Sequence, residues 1–226
     1  MTSRLRGLGI VIVVIGFVFV AAGAFAFIKT QEGNKSLAAF SAAQGVELSY
    51  SEDGTLGGDN PEEAAGIMSL LTNDWAYPVV QGDLNPNDPL VNTASEYMYQ
   101  MATVSYHTLN STQTVVITEP TEFNGETIAP GEYEFAVDGR YWADFNRANP
   151  IEAAARGQAW TGTAHALIAE LGVGTATASA LQLALALAGL FAALGGTLIL
   201  TGAGLVWATR AEPVKVPARR TSNVPA

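Results

Sequence analysis

The chain has no cysteine. That absence excludes disulfides, thiolate metal sites, thiol nucleophiles and lipid-anchored cysteines. Any domain outside a membrane must therefore be held by packing alone. Histidine is almost as scarce. His107 and His165 are the only two, and neither belongs to a metal or triad motif. There is no G-x-S-x-G, no phosphate-cradling glycine loop and no H-E-x-x-H. The acid pairs Glu62-Glu63 and Glu132-x-Glu134 read as solvated charges. No enzyme activity and no cofactor are expected. Charge itself is thin, at 14% of residues against 49% hydrophobic.

The scarcity of charge is local. Residues 7–28, GLGIVIVVIGFVFVAAGAFAFI, hold no charge, and neither does the run from Leu171 to Thr209. The first stretch spans about 33 Å as a helix, enough for a hydrocarbon core of roughly 30 Å. In the second, residues 180–207 are the most apolar. Both read as transmembrane helices. A rival reading exists for the first: Arg4 and Arg6 form a basic n-region, and Ala24-Phe25-Ala26 resembles a signal-peptide cleavage site. Its apolar run exceeds the usual h-region of about 7–15 residues, which favours an uncleaved anchor.

The charges then set a topology. Of 21 acidic residues all but Glu212 fall between 29 and 179, with only five of the 11 basic ones, a net of −15. Arg4 and Arg6 precede the first span; Arg210, Lys215, Arg219 and Arg220 follow the second. Lys and Arg stay on the cytoplasmic side. The expected layout is a cytoplasmic N-terminus (1–6), a first span (7–28), an acidic extracytoplasmic domain (29–179), a second span (180–207) and a basic, disordered cytoplasmic tail (208–226). The compartment is the plasma membrane. Lys29 is a mild exception that snorkels. No outward basic patch is left for nucleic acid.

Small residues at Gly189, Ala192, Ala193 and Gly196 mark a face of the second span suited to close helix packing. The partner is either the first span, with Gly9, Gly16 and Gly23, or another membrane protein.

In the middle segment, Asn60-Pro61, Asp88-Pro89 and Asn149-Pro150 each look like a capped helix start, with proline at the first helical position. GDLNPNDP, residues 82–89, crowds oxygen ligands at nearly the spacing of a calcium loop. That loop needs Gly at its sixth position and Glu at its twelfth, where this chain has Asp88 and Ala94. Asp83 and Asp88 remain weak candidates for a cation. The stretch is expected to open a helix over 89–109 with a buried stripe of Leu90, Tyr97, Met101 and Val104. Two to four short antiparallel strands are expected between about Thr114 and Tyr141. Asn124-Gly125, Pro130-Gly131 and Asp138-Gly139 serve as turns, and Tyr133 and Phe135 face opposite to Glu132 and Glu134. A last helix should start near Pro150 and run toward the membrane, breaking at Gly172 or Gly174. Trp75, Tyr77, Tyr141, Trp142 and Trp160 read first as core or interface anchors and second as a ligand box.

The run GRYWADFNRANPIEAAARGQAW resembles a group of small actinobacterial two-span membrane proteins of unknown function. The likeness lies in Gly139-Arg140, an aromatic, Ala143-Asp144, Arg147 and Asn149-Pro150 leading into a helix and a span. ASEYMYQMATVSYHTL is similar to the group's other outer helix. Some members carry an aromatic-ring-opening dioxygenase label, which a chain without a plausible set of metal ligands does not support. Asn149 stands where the group has aspartate, and residues 113–138 look like an insertion. The resemblance covers about the last half of the chain and implies topology rather than activity.

Together these readings give a membrane α+β protein: two transmembrane helices flanking a small extracytoplasmic α+β domain with a short antiparallel sheet. The first functional expectation is a non-catalytic accessory or scaffold component of a cell-envelope complex, partnered by lipid and by other membrane proteins. The second is an extracytoplasmic sensor or binding module for a cation, peptide or envelope ligand.

Overall fold

The computed structural model describes residues 2–210, so Lys215, Arg219, Arg220 and the tail expected to carry them lie outside the described residues. The chain is mostly helical and divides into two compact units, Met1–Thr30 with Ala184–Ala226, and Gln31–Leu183. Two helices are long and apolar enough to cross a membrane: α1, Thr2–Gln44, and α5, Gly162–Ala208. In each, only 11% of the most apolar window is buried within the structure.

In the first unit the two helices run antiparallel on small residues seven apart. A Cβ on Gly9 would lie 2.8 Å from the Gly202 carbonyl, one on Gly16 2.8 Å from that of Gly195, and one on Gly23 2.9 Å from that of Ala188. Only glycine lets two backbones approach so closely. Phe19 and Phe191 meet beside this seam with ring centroids 5.8 Å apart.

α1 outlasts its apolar run because nothing between Lys29 and Gln44 stops a helix. It ends at Gly45, in the left-handed region at φ 61°, whose N–H reaches the Ser41 carbonyl. On this last stretch the Ser41 hydroxyl is buried and hydrogen-bonded to the Tyr97 hydroxyl at 2.8 Å.

The second unit is built around α2 (Pro61–Ser69), a π-helical turn (Leu70–Asp74), α3 (Ala94–Leu109), four strands and α4 (Pro150–Ala159). Asn60 and Asn149 cap α2 and α4 as their Asn-Pro signatures require, accepting from Glu63 N and from Ile151 and Glu152 N. The third signature does not hold. Asp88-Pro89 opens no helix, and α3 begins at Ala94, capped by Thr93 in a capping box with Glu96. Pro89 to Val91 are instead extended and pair with residues 46–48, through Leu48 N to Pro89 O and Val91 N to Val46 O. Leu90 is therefore off the helix. The better cap, three residues before a glutamate, wins over the earlier one.

Four strands form: β1 (Thr112–Ile117), β2 (Thr121–Phe123), β3 (Glu126–Ile128) and β4 (Gly131–Ala136). β1 pairs antiparallel with β4, and β2 with β3. They are arms of one long hairpin whose register moves by one residue between the ladders, where Pro120 and Pro130 remove N–H donors. Asn124 (φ 52°) and Gly125 (φ 81°) make the two-residue turn. Tyr133 and Phe135 share the half-buried side of β4, while Glu132 and Glu134 are exposed. Asp138-Gly139 turns the chain after β4 rather than between strands.

The core gathers Leu71, Val115, Val137, Ala102 and Ala155, all at 0–1% exposure, with Tyr97, Tyr99, Phe145 and Trp160 around them. The helix from Pro150 does break, but at Trp160 rather than at Gly172 or Gly174. There Thr161 Oγ1 accepts from Ala164 N and starts α5. The two glycines lie inside α5 for another reason: a Cβ on Gly174 would come within 2.6 Å of the Tyr97 ring, and Gly172 faces Met101.

Candidate functional site

Among the concave features of the second unit, two gather the chemically distinctive side chains. The larger is an open apolar groove of about 540 Å³, with Trp75, Met98, Met101, Tyr141, Trp142 and Trp160 among its walls. Several local structures bring these rings together. Trp75 caps the π-helical turn. The Asp138-Gly139 turn sends Tyr141 and Trp142 away from β4, and the break after α4 sets Trp160 beside His165 of α5. Trp75 Nε1 donates to the Tyr141 hydroxyl at 2.8 Å, and Trp160 Nε1 to the Arg140 carbonyl at 3.0 Å. Tyr141 stacks on Trp160 at 5.8 Å, and His165 meets Trp142 edge-on at 5.0 Å. The Arg156 guanidinium lies 3.7 Å from the centre of the Trp142 ring, with its Nη1 buried and unpartnered. Such stacking is worth about 0.5–2 kcal/mol. Tyr141 and Trp142 remain about two-fifths exposed. With Trp75 Nε1, Trp160 Nε1 and the Tyr141 hydroxyl used for bracing, the groove presents mostly flat apolar faces.

Four of the five aromatics picked out from the sequence thus line this groove. Tyr77 does not. It sits beside Ser95 and Asp83, and burial is the main cause that pushes its phenol pKa up. Met98, Met101 and Ile168 complete the wall, and only their spacing on α3 and α5 could have suggested them.

The smaller feature is polar, a pocket of about 270 Å³ between the α2 N-terminus, one side of α3 and residues 47–57. Glu47, Glu63, Tyr99, Gln100, Thr103 and His107 contribute to its lining. His107 Nε2 lies 3.0 Å from Glu63 Oε1, and the Asn60 amide also donates to Glu63. Tyr99 is only 5% exposed, and burial first, then the charge of Glu63, pushes its pKa up to about 12. Nothing in the sequence singled out Tyr99 or Gln100.

Asp83 and Asp88 sit on two successive turns. Asp83 ends a short 3-10 turn, with one carboxylate oxygen buried and unpartnered. Asp88 is exposed, closes a tight turn with Asn85, and its charge acts on Glu96. Among the described residues no three Asp, Glu or His side chains converge to hold a metal. On α5, Gly189 and Gly196 meet nothing within 4 Å, whereas Gly195 and Gly202 carry the contact with α1. Of the small-residue face read from the sequence, Ala192 borders that seam, through its backbone N beside Gly23.

The fold and these features define a class: a mostly helical chain with two helices fit to cross a membrane and a small α+β unit bearing an aromatic groove and an acidic pocket. No protein-family model, curated protein or solved structure matches the chain.

Proposed function

We propose that the protein is a non-catalytic, two-pass integral membrane protein that acts as an accessory or scaffold component of a cell-envelope complex. Its N- and C-termini are cytoplasmic and residues 29–179 lie outside the plasma membrane. The supporting observation is the pair of apolar helices that leave nine-tenths of their most apolar windows uncovered. In water that surface would drive aggregation, whereas in a bilayer it is at home. The distribution of Lys and Arg favours the stated orientation. The aromatic groove supplies a contact surface of the kind that dominates protein interfaces, where Trp and Tyr are enriched. Gly189, Ala193 and Gly196 offer a second face in the bilayer for a partner helix. The resemblance of residues 139–160 to the actinobacterial two-span group supports the same topology.

The lack of native cysteine makes the test clean. Single cysteines are introduced at Asn124 and at Ser3, and intact cells are treated with a membrane-impermeant maleimide. Labelling of the first and protection of the second are expected; the reverse pattern overturns the orientation. Extraction in mild detergent should then co-purify a stoichiometric membrane partner, and Trp142→Ala or Gly196→Leu should weaken its retention. A chain that elutes alone from cells under every extraction condition would remove the scaffold reading.

A further inference from the structure

The polar pocket holds an unspent set of hydrogen-bonding groups. Tyr99 is more than nine-tenths buried and lines the pocket, and its hydroxyl has no protein partner among the described residues. The Gln100 amide, one residue on, is likewise without one. The Tyr50 hydroxyl, close enough to act on Tyr99, is itself buried and unpartnered. A hydroxyl on a ring fixed by burial, left without a protein partner at the wall of a cavity, is a ready acceptor for an occupant's donor. The charged groups of the lining are Glu47 and Glu63, with His107 against Glu63, and neither lysine nor arginine contributes. An anion is disfavoured there. A bare metal ion is disfavoured as well, since no three ligating side chains converge. The volume of about 270 Å³ far exceeds the roughly 10–15 Å³ that one water needs.

We propose that this pocket binds a small organic ammonium ion, with Glu63 as its counter-charge and the Tyr99 hydroxyl and Gln100 amide oxygen as acceptors of its N–H groups. Glu47 extends the negative rim at the mouth. An ammonium offers three donors in a compact head, which suits acceptors drawn from two elements, α2 and α3. Glu63 and Tyr99 are placed for this by independent means, one in the first turn of α2 beside its Asn60 cap, the other by burial of its ring in the core. The activity goes beyond the scaffold reading, and the two fail separately, because co-purification does not report on ammonium binding.

The test uses the full chain in detergent micelles and butylammonium as the probe, with neutral 1-butanol as the matched control. Calorimetry should show saturable binding of the amine and none of the alcohol. Glu63→Gln, which preserves the helix cap, should weaken binding at least tenfold. Tyr99→Phe, which keeps the ring in the core, should weaken it severalfold. The double variant Glu132→Gln with Glu134→Gln removes two exposed charges far along the chain and should leave the affinity unchanged. Equal binding of butanol, unchanged affinity in both pocket variants, or an equal loss in the distant double variant would each overturn the proposal. If one pocket variant fails to fold, the other decides.

Discussion

The two units solve the same problem, burial of apolar residues, by opposite means. The helix pair of the first unit hides almost nothing. Its bulky side chains, such as Phe17, Val18 and Leu200, are 60% exposed or more, and what it buries is backbone, at Gly9, Gly16, Gly23, Ala188, Gly195 and Gly202. The second unit hides its bulk. Leu71, Val115 and Val137 are sealed, and aromatic rings fill the space around them. The contrast teaches how each unit is held. Where the surroundings are as apolar as the side chains, burial of leucine gains nothing, and close van der Waals contact between backbones is left to join the helices. Where the surroundings are water, apolar burial at about 25 cal/mol per Å² drives the packing. Small residues are therefore the sensitive points of one unit and large residues those of the other.

The sharpest break of the second unit is Leu71→Ala. Leu71 is at 0% exposure on the π-helical turn, where the chain between α2 and α3 has little freedom to collapse around a hole. A loss of about 3 kcal/mol is expected, within the usual range of roughly 2–5 kcal/mol. Chemical denaturation followed by tryptophan fluorescence measures it. A loss no larger than that of a surface substitution would mean the core is not where the contacts put it.

The mirror experiment in the first unit enlarges a residue. Gly16→Val forces a side chain against the Gly195 carbonyl and Ile199, and the two backbones must separate. Overpacking costs about 1–3 kcal/mol. Gly196→Val, one residue from the seam and with nothing within 4 Å, should cost the α1–α5 contact almost nothing. Disulfide yield between cysteines introduced at Phe19 and Phe191, which meet beside the seam without being part of it, reports on the contact, since no native thiol competes. Equal yields in the two valine variants would contradict the seven-residue seam.

How much of this could be read from residues alone follows from the same contrast. Local signals were legible where one residue acts on its own backbone: the caps at Asn60 and Asn149, the Asn124-Gly125 turn, and the alternation of Glu132 to Phe135. The two apolar helices were legible because composition alone makes them. Choices between competing local signals were not. Asp88-Pro89 and Thr93-x-x-Glu96 both announce a helix start, and only the pairing of Pro89 to Val91 with residues 46–48 decides for the second. One side of the helix seam was read, at Gly9, Gly16 and Gly23; the facing side, Ala188, Gly195 and Gly202, was missed although it repeats the same seven-residue spacing. Gly172 and Gly174 read as breaks because the Met101 and Tyr97 side chains that fill the space beside them come from α3, far off in sequence. For that reason the aromatics Trp75, Tyr141, Trp142 and Trp160 could be picked out but not the groove they wall, and the polar pocket gave no sign at all. Each draws on three or more segments, and Tyr99 gives no local sign that its hydroxyl faces a pocket.

The smallest effect expected is also the one that separates capping from charge in the second unit. Glu96 is 1% exposed, yet it sits at the third position of α3 and accepts on Oε2 from Asn92 N, Thr93 N and the Thr93 hydroxyl. Burial raises its pKa above the ordinary carboxylate value, the hydrogen bonds from Asn92 and Thr93 pull it back, and the charge of Asp88 adds to the rise. The group facing it from residues 46–56 is the Tyr50 phenol, whose own pKa is raised by burial and then by Glu96. No cation is among these influences. A carboxyl whose folded pKa lies above its unfolded one binds its proton more tightly when folded. Its favourable contribution is full below the unfolded pKa, about 4.3 for glutamate, and is lost as pH rises through the folded value. Glu96→Gln keeps an oxygen for the N–H donors and carries no charge at any pH. The variant should therefore gain on the parent chain as pH rises from about 4 to about 8, with the difference in melting temperature shifting steadily in its favour. Thr93→Ala, by contrast, removes a cap worth roughly 1 kcal/mol at every pH. A Glu96→Gln difference that is flat with pH, or that moves the other way, would show the carboxylate to be a net stabilising charge at the helix N-terminus rather than a cap held at the expense of its ionisation.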